Sequence, residues 1–111
     1  MSVQHVENND LDTVLGDGGT PALVDFHAEW CQPCKAMSPA VEALAEEMGD
    51  GIIVAKVDID KNRDLAVKHN IGSVPTLMVF VGNQPAATQV GAMGGRELKD
   101  WVNQAIGSPA S

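Results

Sequence analysis

Apolar residues follow two different periods along this chain. Short apolar runs, which are typical of buried strands, alternate with segments whose apolar residues recur every three or four positions, as on one face of a helix. Glycine, proline and asparagine residues, which favour turns, lie between these segments. The pattern predicts five strands, over residues 3–6, 22–28, 52–57, 76–81 and 87–90.

Four helices are predicted between these strands and after the last of them. A short helix follows Asn9 or Asp10, residue types that cap free backbone N–H groups. The second helix has the clearest apolar stripe and is closed by Gly49, while Asn70 is the expected stop of the third. The four helices cover about residues 10–17, 33–48, 62–69 and 98–106.

The order of these elements, β-α-β-α-β-α-β-β-α, predicts an α/β fold. Strands that are apolar almost throughout belong to a sheet covered on both faces, with a parallel part. Gly82 and Asn83 predict a tight turn that adds an antiparallel pair. We expect one domain over residues 1–111, with residues 107–111 as a loose tail.

Composition and charge exclude several classes of protein. The chain has 111 residues and a formal net charge of −8, which is unfavourable for binding nucleic acid. No apolar run approaches the roughly 18 residues of a membrane span. The first 20 residues contain no Lys or Arg, so we expect no signal peptide and a cytoplasmic protein. Two cysteines are too few for a disulfide-stapled scaffold or a four-cysteine zinc site.

The two cysteines, Cys31 and Cys34, lie where a predicted strand ends and a predicted helix begins. A helix N-terminus carries partial positive charge and unpaired N–H groups, which stabilise a thiolate. We therefore expect Cys31 to be the attacking sulfur. Cys34 lies about one helical turn further on, where it can close a disulfide with Cys31, and we expect it to be the more buried of the two.

Two other interpretations of the cysteine pair are possible. The pair could be a static disulfide or two inert core thiols, although a static bridge is unusual in a chain without a secretion signal. A metal site would need further ligands, for which the histidines His5, His27 and His69 are the candidates. We expect no metal.

Several segments in order resemble the thioredoxin family. Val24–Lys35 (VDFHAEWCQPCK) resembles its active-site segment, and Pro39 falls where its active-site helix is kinked. Val54–Asp58 resembles its third strand, Gly72–Thr76 its cis-proline loop, and Gly91–Ala92 the glycine loop beside its active site.

This resemblance covers residues 9–106 and implies the thioredoxin fold, a central mixed sheet of about five strands flanked by about four helices. It implies a thiol–disulfide oxidoreductase that reduces protein disulfides without a cofactor. Cys31 would form a mixed disulfide with the client and Cys34 would resolve it. The implied partners are disulfide-containing client proteins and a flavin- and NADPH-dependent thioredoxin reductase as electron donor. We expect a monomer with no nucleic-acid or membrane partner.

Two isolated charges lie within predicted buried strands. Asp25 is the only acid in its strand, and by resemblance it is the proton acceptor for Cys34. Lys56 is the only base in its strand, and we expect it to be the partner of Asp25 near the active site. Alternatively, Asp25 reaches solvent from a strand end, and Lys56 extends its ammonium group to the surface.

The remaining expected site residues would contact the client. Their backbone or side chains surround the motif in the family, and Pro75 is expected to follow a cis peptide bond. Trp30 would form an amphipathic rim. The expected substrate-binding residues are Trp30, Gln32, Pro33, Val74, Pro75, Gly91 and Ala92.

The chain departs from the family pattern at two positions. Gln32 stands where the family usually has Gly, and His27 where it usually has Trp. We expect Trp101 in the core and Met93 on an apolar docking surface. Two rival functions remain: an oxidant or isomerase that works in the opposite direction, and a binding module that uses the fold as a docking surface.

Overall fold

The predicted order of elements is confirmed in the computed structural model, which describes residues 3–107. The end of the expected loose tail, residues 108–111, lies outside this range. The strands are β1 (Val3–His5), β2 (Ala22–His27), β3 (Ile53–Asp58), β4 (Thr76–Val81) and β5 (Gln84–Val90). The helices are α1 (Leu11–Leu15), α2 (Gln32–Met48), α3 (Arg63–Lys68) and α4 (Gly95–Ala105). A short 3₁₀ turn, Gly49–Gly51, follows α2.

The five strands form one mixed sheet in the order β1-β3-β2-β4-β5. Strands β1 and β2 both run parallel to β3, as the helical connections between them require. Strand β4 is antiparallel to β2, and β5 is antiparallel to β4. Gly82 and Asn83 both have positive φ, of 61° and 63°, in the tight turn of this hairpin.

Each face of the sheet has its own apolar core, because successive side chains of a strand point to opposite faces. On one face, Leu23 and Val54 pack with α2 and α4; the buried residues from those helices include Met37, Val41, Leu44, Leu98 and Val102. On the other face, Val24 and Phe26 pack with α1 and α3; the buried residues from those helices are Leu11, Leu15 and Leu65. The cysteine pair lies at the start of α2, on the first face.

Several details differ from the sequence predictions. Helix α4 begins at Gly95 instead of residue 98. Strand β5 begins at Gln84, three residues earlier than predicted, and includes Pro85. A proline is tolerated there because β5 is an edge strand. Met93 is buried in the first core, so its assignment to a docking surface was wrong. Trp101 is only half-buried and packs against the margin of that core.

Asn62 is a buried polar residue whose role the sequence did not reveal. Its side-chain amide donates to the carbonyls of Val6 and Asp58 at 3.3 and 3.1 Å. Its carbonyl oxygen accepts from the backbone N–H of Asn9 at 2.9 Å. These bonds connect the start of α3 to the segment after β1, and they satisfy a side chain that is only 1% exposed.

Candidate active site

Cys31 is the N-cap residue of α2, directly after the turn that follows β2. A disulfide joins it to Cys34, with the two Cα atoms 5.3 Å apart. The backbone N–H of Cys34 donates to Cys31 Sγ at 3.2 Å. A free helix N–H group is therefore directed at the sulfur that the sequence analysis assigned as the nucleophile. Both cysteines are 4% exposed, so the expectation that Cys34 is the more buried was wrong for this oxidised state.

A small apolar cluster surrounds the disulfide. Ala28, which directly follows β2, is buried with the two cysteines, and the half-buried side chains of Ile59 and Val74 pack against them. Ile59 was not predicted as a site residue. Its only signal in the sequence is that it follows the strand next to β2.

Asp25 is a fully buried acid on the α2 face of the sheet. It is two residues from Leu23, so the two side chains share that face. Leu77 is its register partner on β4 and Lys56 its partner on β3. Neither carboxyl oxygen has a hydrogen-bond partner. Burial raises the pKa of Asp25 from 3.8 to about 6, against a smaller lowering by the charge of Lys56.

Lys56 does not form the direct contact with Asp25 that we expected. The two residues are opposite each other in the β2–β3 register, but the structure contains no ion pair between them. The Lys56 ammonium instead donates to the hydroxyl of Ser38 at 2.7 Å. Ser38 lies on α2, four residues after Cys34, and was not identified from the sequence. The side chain of Lys56 thus crosses from the sheet to the active-site helix.

A cavity of about 250 Å³ opens beside Cys34, and Lys56 and Ser38 form part of its wall. His27 also lines this cavity. Burial lowers the pKa of His27 below its usual value, and the positive charge of Lys56 lowers it further. Both effects disfavour the charged form of the imidazole. Lys56 from the sheet, Ser38 from α2 and Cys34 thus line the same cavity.

The expected substrate-binding loops are joined to the cysteine cluster through Val74. The Val74–Pro75 peptide bond is cis, as the resemblance implied. Pro75 is buried, and its carbonyl accepts from the backbone N–H of Gly91 at 2.9 Å. Val74 packs on the disulfide cluster. The loop before β4 and the loop after β5 therefore lie next to each other, with Val74 between them and the sulfurs.

Trp30 is 66% exposed, in agreement with the predicted rim. Its indole N–H donates to the carboxylate of Asp60 at 2.9 Å, which holds the ring against the loop after β3. Asp60 was not predicted, because nothing local links it to residue 30. Gln32, Pro33 and Ala92 are exposed.

Residues 3–107 contain neither a candidate metal cluster nor a helix that could span a membrane. No group of three or more His, Cys, Asp or Glu side chains in this range is placed to hold a metal ion. None of the helices it contains is both long and apolar enough to cross a membrane.

Comparison with known proteins gives consistent results. The family model described as thioredoxin matches residues 2–104. A thioredoxin of Rhodospirillum rubrum is 43% identical over 95 residues, which cover 86% of this chain and 89% of that protein. A thioredoxin of Porphyra purpurea is 41% identical over 106 residues, which cover 96% of this chain and 99% of that protein.

A solved structure of a mutant thioredoxin from Halobacterium salinarum has the same fold. It superposes with a TM-score of 0.84 at 35% identity, covering 95% of this chain and 91% of that one. The mixed sheet, the cysteine pair at the start of α2 and these relatives lead to one conclusion. The chain belongs to the thioredoxin family of thiol–disulfide oxidoreductases.

Proposed function

We propose that this protein is a general reductant of protein disulfides, with Cys31 as nucleophile and Cys34 as resolving thiol. The Cys31 thiolate attacks one sulfur of a client disulfide, and the other client sulfur leaves as a thiolate. Cys34 loses its proton and attacks Cys31 Sγ, which releases the second client sulfur. The client gains two electrons and two protons, and the protein is left with the Cys31–Cys34 disulfide.

The position of Cys31 at the N-cap of α2 is the observation that carries this proposal. Its sulfur accepts the Cys34 N–H, and the positive end of a 17-residue helix favours negative charge there. Cys34 lies in the first turn of α2, within bonding reach of Cys31. It lines the cavity whose wall also includes Lys56. The two sulfurs are therefore inequivalent, as attack and resolution require.

Asp25 is proposed as the proton acceptor for Cys34. A buried carboxyl with a pKa of about 6 and no hydrogen-bond partner is suited to gaining and losing a proton near neutral pH. An ordinary exposed Asp would be ionised throughout that range and would be a weaker base.

The client segment is proposed to lie in extended form across the loops around the disulfide. Val74 would pair with its backbone, and Trp30, Gln32, Pro33, Pro75, Gly91 and Ala92 would form the rest of the contact surface. Val74 packs on the disulfide cluster, and the Gly91–Pro75 hydrogen bond holds the two loops together.

The family suggests disulfide-containing proteins as substrates and a thioredoxin reductase as partner. We propose a flavin enzyme that uses NADPH as the electron donor. We further propose that residues 1–111 work as a single monomeric domain in the cytoplasm, without a cofactor or metal of their own.

Insulin reduction tests the assignment of the two cysteines. With dithiothreitol as electron source, Cys31→Ser should abolish the accelerated reduction of insulin, because the attacking thiolate is lost. Cys34→Ser, reduced first and then freed of dithiothreitol, should instead accumulate a covalent complex with the client, since no thiol remains to resolve it. Non-reducing gels detect that complex, and mass spectrometry identifies the cysteine involved.

Alkylation and a redox titration distinguish the alternatives. Iodoacetamide should modify Cys31 first in the reduced protein, and preferential labelling of Cys34 would reverse the assignment. A reduction potential close to that of strong periplasmic oxidants would favour the oxidase function instead. If the parent protein reduces no client and Cys31→Ser still binds clients fully, the protein would instead be a binding module.

A further inference from the structure

Lys56 is held by α2 although an unpaired carboxyl lies next to it on the sheet. Asp25 and Lys56 are direct register partners on β2 and β3. Neighbouring strands are about 4.8 Å apart, so the long side chain of Lys56 could reach its neighbour. Both oxygens of Asp25 are nevertheless unpartnered, and the ammonium donates to Ser38.

Because Ser38 and Asp25 are alternative partners for the Lys56 ammonium, we propose that Ser38 is a positioning residue. It holds the ammonium away from Asp25, and Asp25 thereby stays able to take up a proton at neutral pH. An ammonium in contact with a buried carboxylate would stabilise its ionised form strongly, because the interior has a low dielectric constant. The 2.7 Å hydrogen bond to Ser38 keeps the ammonium out of contact with Asp25, so the ammonium stabilises the carboxylate only in part. The inference rests on the proposed role of Asp25 as the acceptor of the Cys34 proton.

Other charged groups near Lys56 do not replace Ser38 in this role. On the sheet these groups are His5, His27 and Asp58. On the flanking segments they are Glu7, Glu29 and Lys61, and on α2 there is Lys35. None of these groups bonds to the ammonium, and the four outside the sheet are exposed, where water and salt screen their charge. Burial lowers the pKa of His27, which disfavours its charged form.

Ser38→Ala removes the bond without disturbing the helix, since alanine has the highest helix propensity. The freed ammonium is then able to turn towards Asp25, its register partner on β2. We expect the titration midpoint of the Asp25 carboxyl to fall by at least about half a pH unit. The carboxyl ¹³C signal of the oxidised protein reports this midpoint, and its disappearance in Asp25→Asn confirms the assignment.

Lys56→Met is the matched control, because it removes the charge and keeps the length of the side chain. It should move the midpoint in the opposite direction, upwards, since the stabilising charge is lost. In the double variant, Ser38→Ala should have no further effect. A midpoint unchanged or raised by Ser38→Ala, or lowered equally with and without Lys56, would overturn the inference.

These measurements require no turnover, so they are independent of the proposed function. If Ser38→Ala moves the midpoint, while neither it nor Asp25→Asn changes the pH profile of insulin reduction, the placement of Lys56 by Ser38 stands and the proton-transfer role of Asp25 fails. If the placement of Lys56 by Ser38 and the proton-transfer role of Asp25 both hold, the acid limb of the Ser38→Ala pH profile should shift to lower pH together with the carboxyl midpoint.

Discussion

Asp25 is a buried acid whose ionisation lowers the stability of the fold, whereas the proton-transfer role proposed for it requires that ionisation. Its strand neighbours are apolar, Leu77 lies opposite it, and no group donates a hydrogen bond to its carboxyl. Burial therefore raises its pKa to about 6. The folded state binds this proton more tightly than the unfolded chain, so stability falls as the pH rises between about 4 and 6.

Asp25→Asn should stabilise the protein at neutral pH. The shift from 3.8 to about 6 corresponds to about 3 kcal/mol of unfolding free energy, which is lost once the carboxyl ionises. An asparagine has nearly the same shape and never ionises. Urea denaturation of both oxidised proteins should show a gain of up to about 3 kcal/mol at pH 8.

At pH 4 the gain should nearly vanish, because the folded parent then carries a neutral Asp25 as well. The pH dependence separates ionisation from packing, since a packing difference would persist at both pH values. A constant difference between pH 4 and pH 8 would contradict the raised pKa.

At this scale the sequence reveals charges but not their partners. Asp25 and Lys56 stand out because each interrupts an apolar strand. Ser38 does not, because a serine on a helix is common and its bond to Lys56 joins residues 18 positions apart. The Trp30–Asp60 bond was missed for the same reason. Such contacts depend on how a helix or loop lies over the sheet, which no local period encodes.

Among the secondary-structure elements, β4 and β5 position the two loops that lie beside the disulfide. Gly91 follows β5 with φ of 104°, and its N–H bonds to the carbonyl of Pro75 just before β4. A Cβ at Gly91 would meet no atom within 4 Å, so space is not the constraint there. The constraint is a backbone conformation that residues with a Cβ rarely adopt.

Gly91→Ala should therefore lower the unfolding free energy by about 1–2 kcal/mol, through backbone strain alone. Gly51→Ala is the control, because a Cβ there also has open space and the backbone is not in the left-handed region. It should leave stability unchanged or raise it by up to about 1 kcal/mol. Urea denaturation measures both. Equal effects of the two substitutions would show that the conformation of Gly91 carries no cost.

The order of the elements was predictable because strands and helices here keep clear periods. The apolar runs of β2, β3 and β4 and the stripe of α2 are unambiguous, and the folded structure contains each of them. The start of β5 was misjudged because Pro85 looks like the end of a strand, and only the sheet order shows that it lies at an edge. Met93 was misplaced because a single methionine in a glycine-rich loop carries no periodicity.

For the whole molecule, the dominant electrostatic feature is its net charge of −8. Within residues 3–107 there are two ion pairs, Lys61–Glu29 and Lys99–Glu47, and both are partly exposed. Exposed pairs contribute little to stability, typically about 0–1 kcal/mol. Repulsion among the remaining acids therefore outweighs attraction in the folded state.

Added salt should accordingly stabilise this protein. Raising sodium chloride from about 0.02 M to about 0.5 M shortens the screening distance to a few ångströms and weakens the repulsion among surface carboxylates. We expect Tm at pH 7 to rise by about 4 °C, which for a chain of this size corresponds to roughly 1 kcal/mol. Calorimetry of the oxidised protein measures this rise.

The same comparison at about pH 4.5, the isoelectric point of the sequence, separates screening from a general salt effect. Many of the carboxyls are then neutral and the net charge is close to zero, so the rise in Tm should largely disappear. Chloride is the suitable anion because sulfate strengthens apolar burial at any pH. A Tm that falls with salt at pH 7 would mean that the ion pairs and the Lys56 network outweigh the repulsion. An equal rise at both pH values would assign the effect to solvent rather than to charge.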